Sequence, residues 1–309
     1  MNSANRDYVA YFNGEWMPFS EVRINPMDSG FVVGDVVFDH GRTFNGKSFR
    51  LKEHVDRLFR SLKFVRIDPG MSSDEMIALS EEALRRNAHL RREFEDLTVR
   101  QFVTRGLGSR PRSPGTPTIG IIVEHVNFRS IAPLYERGAH GIITRTRSHP
   151  AETIDPKLKH YCRLNFNLAD IEAADVDPDG WAILCDMEGY LSEGTGYNVF
   201  LVSNGVIRTP QDRAILQGVS RGMVLDLAGQ LGLEAVGEDL QPYDLYNADE
   251  AFFTGTTPCV LPVTRADHRQ IGDGRPGPVT KQLLAAWSEA VGVDIVGQAL
   301  QSIGAAAVA

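Results

Sequence analysis

Apolar and polar positions along the chain keep two periods, and the places where one gives way to the other outline its elements. Around Tyr8-Val-Ala-Tyr-Phe-Asn-Gly-Glu-Trp16, β-type residues flank Asn13-Gly14, the dipeptide that most favours a tight hairpin turn. Val32 to Phe44 is again rich in Val and Phe, Asn45-Gly46 offers a second turn, and Ser48 to Leu51 can return as a strand. From Lys52 to Phe64 and just beyond, Val55, Leu58, Phe59, Leu62 and Val65 recur at spacings of three and four, which predicts an amphipathic helix. A second helix is expected over Ser73 to His89, capped by Ser72 or Ser73. Strands over Leu97–Thr104 and Thr118–Val126, flanking a Pro/Gly/Arg loop from Gly106 to Pro117, complete an α+β unit. The second half alternates strands (Gly141–Thr146, Trp181–Cys185, Val199–Val202, Gly205–Arg208, Glu250–Thr254) with helices (Leu164–Ala174, Ser220–Leu231, Val279–Val291). No internal repeat is visible, and Gly304–Ala309 reads as a fraying small-residue tail.

Length fits two domains to this pattern, since 309 residues divide at about 150 per domain. The expected division is 1–127 for a smaller N-terminal α/β domain, 128–136 for a connecting loop and 137–309 for a larger domain. With 32 basic against 40 acidic residues the formal charge is −8, which gives no attraction to nucleic-acid phosphates or an anionic membrane. Apolar runs such as Ile119–Val123 are too short to span a bilayer, and Met1–Tyr11 lacks the pattern of a secretory signal, so the expectation is cytoplasmic. Cys162, Cys185 and Cys259 form no C-x-x-C pair and read as structural thiols, and the histidines lack ligand spacing, so no metal is expected. Lysine is scarce: only Lys47, Lys52, Lys63, Lys157, Lys159 and Lys281 can carry amine chemistry.

One of these lysines lies in a misleading motif. Gly41-Arg-Thr-Phe-Asn-Gly46-Lys47-Ser48 fits the phosphate-loop pattern letter for letter, which taken alone says nucleotide hydrolase. The chemistry requires a helix that starts at the Gly-Lys and turns its amides toward the phosphate. Here the Gly-Lys sits in an Asn-Gly turn followed by strand-type residues, so the nucleotide reading is set aside for a hairpin turn.

Candidate chemistry gathers instead in four segments. Ile154-Asp-Pro-Lys-Leu-Lys159-His-Tyr-Cys-Arg163 leads into a helix, where a lysine is also at home simply solvated. Tyr190-Leu-Ser-Glu193-Gly194-Thr-Gly196-Tyr-Asn198 places an acid and two glycines between strands, which could merely end a hairpin. Leu216-Gln-Gly218-Val219-Ser220-Arg opens a helix whose N-terminal amides can cap themselves or bind phosphate. Phe252-Phe-Thr-Gly255-Thr256-Thr257-Pro258 ends a strand in hydroxyls.

In this order, and with Glu193 thirty-four positions after Lys159, these segments resemble the class IV pyridoxal-phosphate aminotransferases. That group contains branched-chain, D-amino acid and (R)-selective amine transaminases, and the resemblance runs from the Tyr-Phe-Asn-Gly-Glu-Trp start to Lys281. It implies fold type IV with a C-terminal pseudo-barrel domain, pyridoxal 5'-phosphate (PLP/PMP) as cofactor, and a homodimer or higher homo-oligomer. It implies that Lys159 forms the Schiff base and shuttles the proton, with Lys157 the nearby rival. Glu193 would bind the pyridinium nitrogen, Asn198 would support that loop, and Arg57 would grip the phosphate. Leu216, Gly218, Val219, Ser220, Gly255 and Thr256 complete the implied cofactor set.

Substrate choice is read from the same resemblance. Phe38, His40 and Arg42 alternate along one strand and share the face that the family puts over the substrate, with Thr257 nearby. Branched-chain enzymes usually carry glycine where His40 stands and tyrosine where Leu164 stands, while Val103-Thr-Arg105-Gly106 and Ser109-Arg110-Pro-Arg112 look more like the D-amino acid and (R)-amine enzymes. D-amino acids or (R)-amines are therefore the expected donors, branched L-amino acids the alternative, with Arg105, Arg110 and Arg112 on a swinging loop as candidate readers of an α-keto acid. A lyase of the aminodeoxychorismate type, which eliminates pyruvate with the same lysine and cofactor, is a further alternative.

Overall fold

Asn13 and Gly14, at φ 50° and 97°, turn strand β1 (Val9–Phe12) back into β2 (Glu15–Pro18), the left-handed pair that a two-residue hairpin needs. Asn45 and Gly46, at φ 48° and 75°, do the same between β3 (Val36–Phe44) and β4 (Lys47–Ser48). Lys47 thus enters a strand, and the helix that follows starts only at Leu51. The computed structural model describes residues 8–92, 95–108 and 115–306.

Contacts divide the chain into two units, Met1–Val126 with Leu158–Cys162, and Asn127–Lys157 with Arg163–Ala309. In the first, β5 (Leu97–Thr104) and β6 (Thr118–His125) join the two hairpins into an antiparallel sheet of order β2-β1-β6-β5-β3-β4. One face carries Val37, Val99, Val103, Ile121 and Val123, and these pack with Val55, Leu58 and Leu62 of helix α2 (Leu51–Val65) and Met76, Ala83 and Leu84 of helix α3 (Ser73–Asn87). Each such large side chain stabilises the fold by about 1.5–3 kcal/mol on burial. Ser72 caps α3, its hydroxyl accepting from the Glu75 amide while the Glu75 carboxylate accepts from the Ser72 amide. The other face holds a smaller cluster of Phe12, Val36, Phe38 and Phe102.

Several features depart from the sequence pattern, among them two in the first unit. Ser29–Val33, expected as loop running into strand, is a short helix, α1. Asp28 caps it by accepting from the Gly30 amide, and Gly34 closes it at φ 71°. Leu158–Cys162, expected within the second domain, runs along the open edge of β3: the Phe38 amide donates to the Lys159 carbonyl at 3.1 Å and the Tyr161 amide to the Val36 carbonyl at 3.1 Å.

The second unit begins with helix α4 (Leu134–Arg137) and strand β7 (Ala139–Ile143), followed by α5 (Leu164–Val176), β8 (Gly180–Cys185), β9 (Leu191–Gly194), β10 (Asn198–Ser203) and β11 (Val206–Pro210). It continues through α6 (Val219–Gln230), β12 (Ala235–Glu238), α7 (Pro242–Tyr246), β13 (Glu250–Gly255), β14 (Cys259–Ala266), β15 (Arg269–Gln270), α8 (Pro278–Val291) and α9 (Ile295–Ala306). Among the described residues the pairing runs β10-β13-β14-β7-β8-β9 and returns from β9 to β10, so the sheet closes like a barrel, with β11 and β12 extending it beyond β10. Fully buried Ile183, Leu184, Phe200, Phe252, Phe253 and Leu261 belong to its strands, with the Phe200 and Phe252 rings stacked at 4.9 Å. β14, which contains Pro262, was not among the expected strands. The proline is tolerated because β7 joins β14 only from Val263 onward, so no β7 ladder bond is asked of it.

Candidate active site

In the first unit, β3 sorts side chains to two sides. Phe38, His40 and Arg42 do share a face, and the Lys159 ammonium lies 4.8 Å from the Phe38 ring centroid. The backbone of Lys159 is fixed at both ends, its amide donating to Ser61 Oγ at 3.3 Å and its carbonyl accepting from Phe38. Tyr161, two residues on, packs on Phe38 with ring centroids 4.2 Å apart. His40 is pushed down to about 3 by burial, reinforced by the positive charges of Arg100 and Lys159, so its imidazole is neutral near pH 7.

On the opposite side of β3 lies Arg57, which α2 points at Asp39. Its Nε and Nη2 donate to the two Asp39 oxygens, each at 2.8 Å. The structure engages Arg42 and Arg105 elsewhere. Arg42 is 1% exposed, packs over the Phe44 ring at 4.0 Å, and donates from Nε to the Thr43 carbonyl. Arg105 pairs with Asp35 and donates to the carbonyls of Val65 and Arg66 at the end of α2. Arg110 and Arg112 lie outside the described residues. A guanidinium that the sequence reading missed is Arg100, paired across from His40 on β5. Its Nε is buried with no hydrogen-bond partner among the described residues, although a 3.5 Å contact joins its Nη2 to Glu124. Alternation was the signal available, because Thr98, Arg100 and Phe102 face the same way as their partners Arg42, His40 and Phe38.

In the second unit the remaining candidates converge. Glu193 and Asn198 pair across β9 and β10, Glu193 Oε2 accepts from the Leu216 amide at 3.1 Å, and Asn198 Nδ2 donates to the Leu216 carbonyl at 2.9 Å. Both side chains are buried. Gly218 is the N-cap of α6, where no side chain caps the helix, so the Val219 and Ser220 amides open the dipole's positive end. A β-carbon at Gly218 would fall 2.1 Å from Asn198 Oδ1, which is why only glycine fits there. Gly255 ends β13, and Thr256, Thr257 and Pro258 form the turn into β14. A β-carbon at Gly255 would approach the Gly196 carbonyl oxygen at 3.2 Å, which keeps this turn close to the Glu193–Asn198 loop.

These donors fit pyridoxal phosphate. The first unit offers a lysine amine for an aldehyde and an arginine for a phosphate. The second offers a buried carboxylate for a pyridinium nitrogen and an uncapped helix N-terminus for an anion. Among the described residues no group of acidic, histidine and cysteine side chains is arranged to hold a metal ion.

Comparison with known proteins agrees with this chemistry. Residues 36–266 match the family Amino-transferase class IV. A Methanocaldococcus jannaschii protein named for branched-chain-amino-acid aminotransferase activity is 39% identical over 286 residues, covering 90% of this chain and 95% of its own. The branched-chain-amino-acid aminotransferase of Pseudomonas aeruginosa is 31% identical over 307 residues, covering 94% and 95%. Among solved structures, the branched-chain amino acid aminotransferase from Thermobaculum terrenum in its PLP form superposes with a TM-score of 0.83 at 26% identity, covering 95% of this chain and 95% of that one. The match spans Phe38 through Thr257 and most of the chain's length, so this protein belongs to the class IV aminotransferases, pyridoxal-phosphate-dependent enzymes of fold type IV.

Proposed function

We propose that the chain moves the amino group of a branched-chain L-amino acid to an α-keto acid. The observation that carries this reading is the setting of Lys159, whose ammonium lies over the Phe38 ring beside Tyr161. The full-length relatives named for branched-chain substrates support the same donor. His40, which turned the sequence reading toward D-amino acids and (R)-amines, is compatible with an apolar donor because its imidazole is neutral. For the carboxylate we assign Arg100 among the described arginines, since Arg42 and Arg105 are committed to Asp96 with Phe44 and to Asp35.

When bound, pyridoxal phosphate supplies an electron sink for the pair left on the substrate's Cα. In this reading Lys159 would bond the aldehyde and, once released, would hold and move the proton at Nζ. For the phosphate, the first unit would supply Arg57, and the second the amides of Val219 and Ser220 and the Thr256 hydroxyl; Glu193, held in place through Leu216 and Asn198, would accept from the ring nitrogen.

A donor screen with 2-oxoglutarate as acceptor tests the assignment. L-Leucine is expected to exceed D-alanine and (R)-1-phenylethylamine in kcat/KM by about a hundredfold or more, and Arg100→Leu to raise the KM for 2-oxoglutarate. Preferred turnover of D-alanine or the amine contradicts the donor, and pyruvate release from aminodeoxychorismate without an acceptor makes the protein a lyase.

We also propose a homodimer that uses α1. Phe31, Val32 and Val33 are 75%, 54% and 69% exposed, an apolar patch beside a cavity of about 770 Å³ lined by Val36, Phe102, Ile122 and Tyr161. Sedimentation at twice the chain mass is expected for the wild type, with a shift toward the single chain in Phe31→Asp. A wild type that sediments as a single chain contradicts it.

A further inference from the structure

Asp39, His54 and Arg57 form a buried charged cluster on the side of β3 that faces α2, away from Phe38 and His40. All three are at most 4% exposed. His54 and Arg57 stand three residues apart on α2, one turn, and so reach the same carboxylate. Asp39 Oδ2 accepts from Arg57 Nε, and Oδ1 accepts from Arg57 Nη2 and lies 2.7 Å from His54 Nδ1. Burial pushes the Asp39 carboxyl up, but Arg57 and then His54 outweigh it and hold the group ionised far below the ordinary range. His54 is pushed down by burial against the pull of Asp39, which leaves a neutral ring with Nδ1–H aimed at the carboxylate.

A buried ion pair is a poor stabiliser, because desolvation consumes most of its Coulomb energy. What this one does supply is direction. A planar guanidinium held along its Nε–Nη2 edge has its plane fixed and keeps its remaining donors, on Nη1 and the far side of Nη2, at the opposite end, and a lysine could not be held this way. We propose that Asp39 is a positioning residue of the cofactor-phosphate site, fixing the plane of Arg57 with His54 bracing the carboxylate. This rests on the reading of Arg57 as a phosphate ligand.

The test separates phosphate recognition from folding. Full-length protein stripped of cofactor is titrated with pyridoxal phosphate and with pyridoxal, which lacks the phosphate, in the wild type, Asp39→Asn, Asp39→Glu, Arg57→Gln and the double variant Asp39→Asn/Arg57→Gln. Arg57→Gln and Asp39→Asn are each expected to weaken pyridoxal phosphate by about tenfold to a hundredfold and to leave pyridoxal within about twofold. Asp39→Glu, which keeps the charge, is expected to lie nearer the wild type. Asp39→Asn should change nothing further once Arg57 is Gln, because its effect runs through that side chain. Unchanged or tighter phosphate-dependent binding in Asp39→Asn overturns the proposal, as does an equal loss for both ligands. If Arg57→Gln discriminates and Asp39→Asn does not, only the positioning role falls; if Arg57→Gln does not discriminate, the phosphate assignment falls and takes the proposal with it. Should Asp39→Asn not fold, the same ratio in His54→Gln decides: a selective loss supports the brace, and an unchanged ratio contradicts it.

Discussion

Lys159→Ala is expected to lower kcat by about 10²–10⁴-fold or more, the range that a positioned proton-transfer group alone contributes. The protein should nevertheless fold. The bonds that fix residue 159 are made by its main chain, to Ser61 Oγ and to the Phe38 amide, and alanine keeps both. The side chain's approach to the Phe38 ring is an interaction of about 0.5–1 kcal/mol at an exposed site and somewhat more where desolvated. Steady-state rates with L-leucine, read beside the thermal unfolding midpoint, check both halves. A variant with near-native stability and lost turnover places the amine in the chemistry. One that keeps turnover transfers the role to another lysine, of which Lys157 is the nearest in sequence.

Glu193→Gln is the second large effect. The substitution keeps the shape of the side chain and an oxygen for the Leu216 amide, so the loop held by Asn198 should persist. On the proposed assignment it removes the charge that would favour a proton on the ring nitrogen, and a charge-assisted hydrogen bond of this type is worth about 1.5–3 kcal/mol. The expected result is a fall in kcat of about tenfold to a hundredfold, with cofactor affinity changed far less because the phosphate contacts are elsewhere. Single-turnover rates at saturating cofactor separate the two quantities. Native kcat in Glu193→Gln contradicts the assignment of this carboxylate.

Local signals were legible wherever the chemistry of a few neighbouring residues decides the conformation. Asn13-Gly14 and Asn45-Gly46 announced their hairpins because the turns need positive φ at both positions. The apolar spacing from Val55 to Leu62 announced α2 and its buried face. The Asn-Gly context around Lys47 was enough to reject a phosphate loop that the letters alone support. The α1 helix was missed because Val32 and Val33 favour strand, although Asp28 and Gly34 bracket it with the usual cap residues.

Long-range pairings were not legible. Asp39 and Arg57 lie eighteen positions apart on different elements, and nothing in either segment says that one carboxylate will take the Nε–Nη2 edge of one guanidinium. The tie between Lys159 and the edge of β3 joins residues more than a hundred positions apart, so the lysine was assigned to the wrong side of the chain's division. Arg105 read as a substrate group because its flanking residues resemble one branch of the family, whereas its partners, Asp35 and the carbonyls ending α2, come from segments distant in sequence. Each of these depends on β3 passing between α2 on one side and Leu158–Cys162 along its edge.

Borohydride reduction of the holoenzyme, followed by mass mapping of the modified peptide, tests the central claim most directly. The linkage between the cofactor aldehyde and a lysine amine becomes permanent on reduction, so the mass of the pyridoxyl group marks the residue that carried it. The expected result is a single modified site at Lys159 in the segment Leu158–Cys162, absent from Lys159→Ala. Modification at Lys157 or at any of the other lysines, or none in a protein saturated with cofactor, contradicts the account.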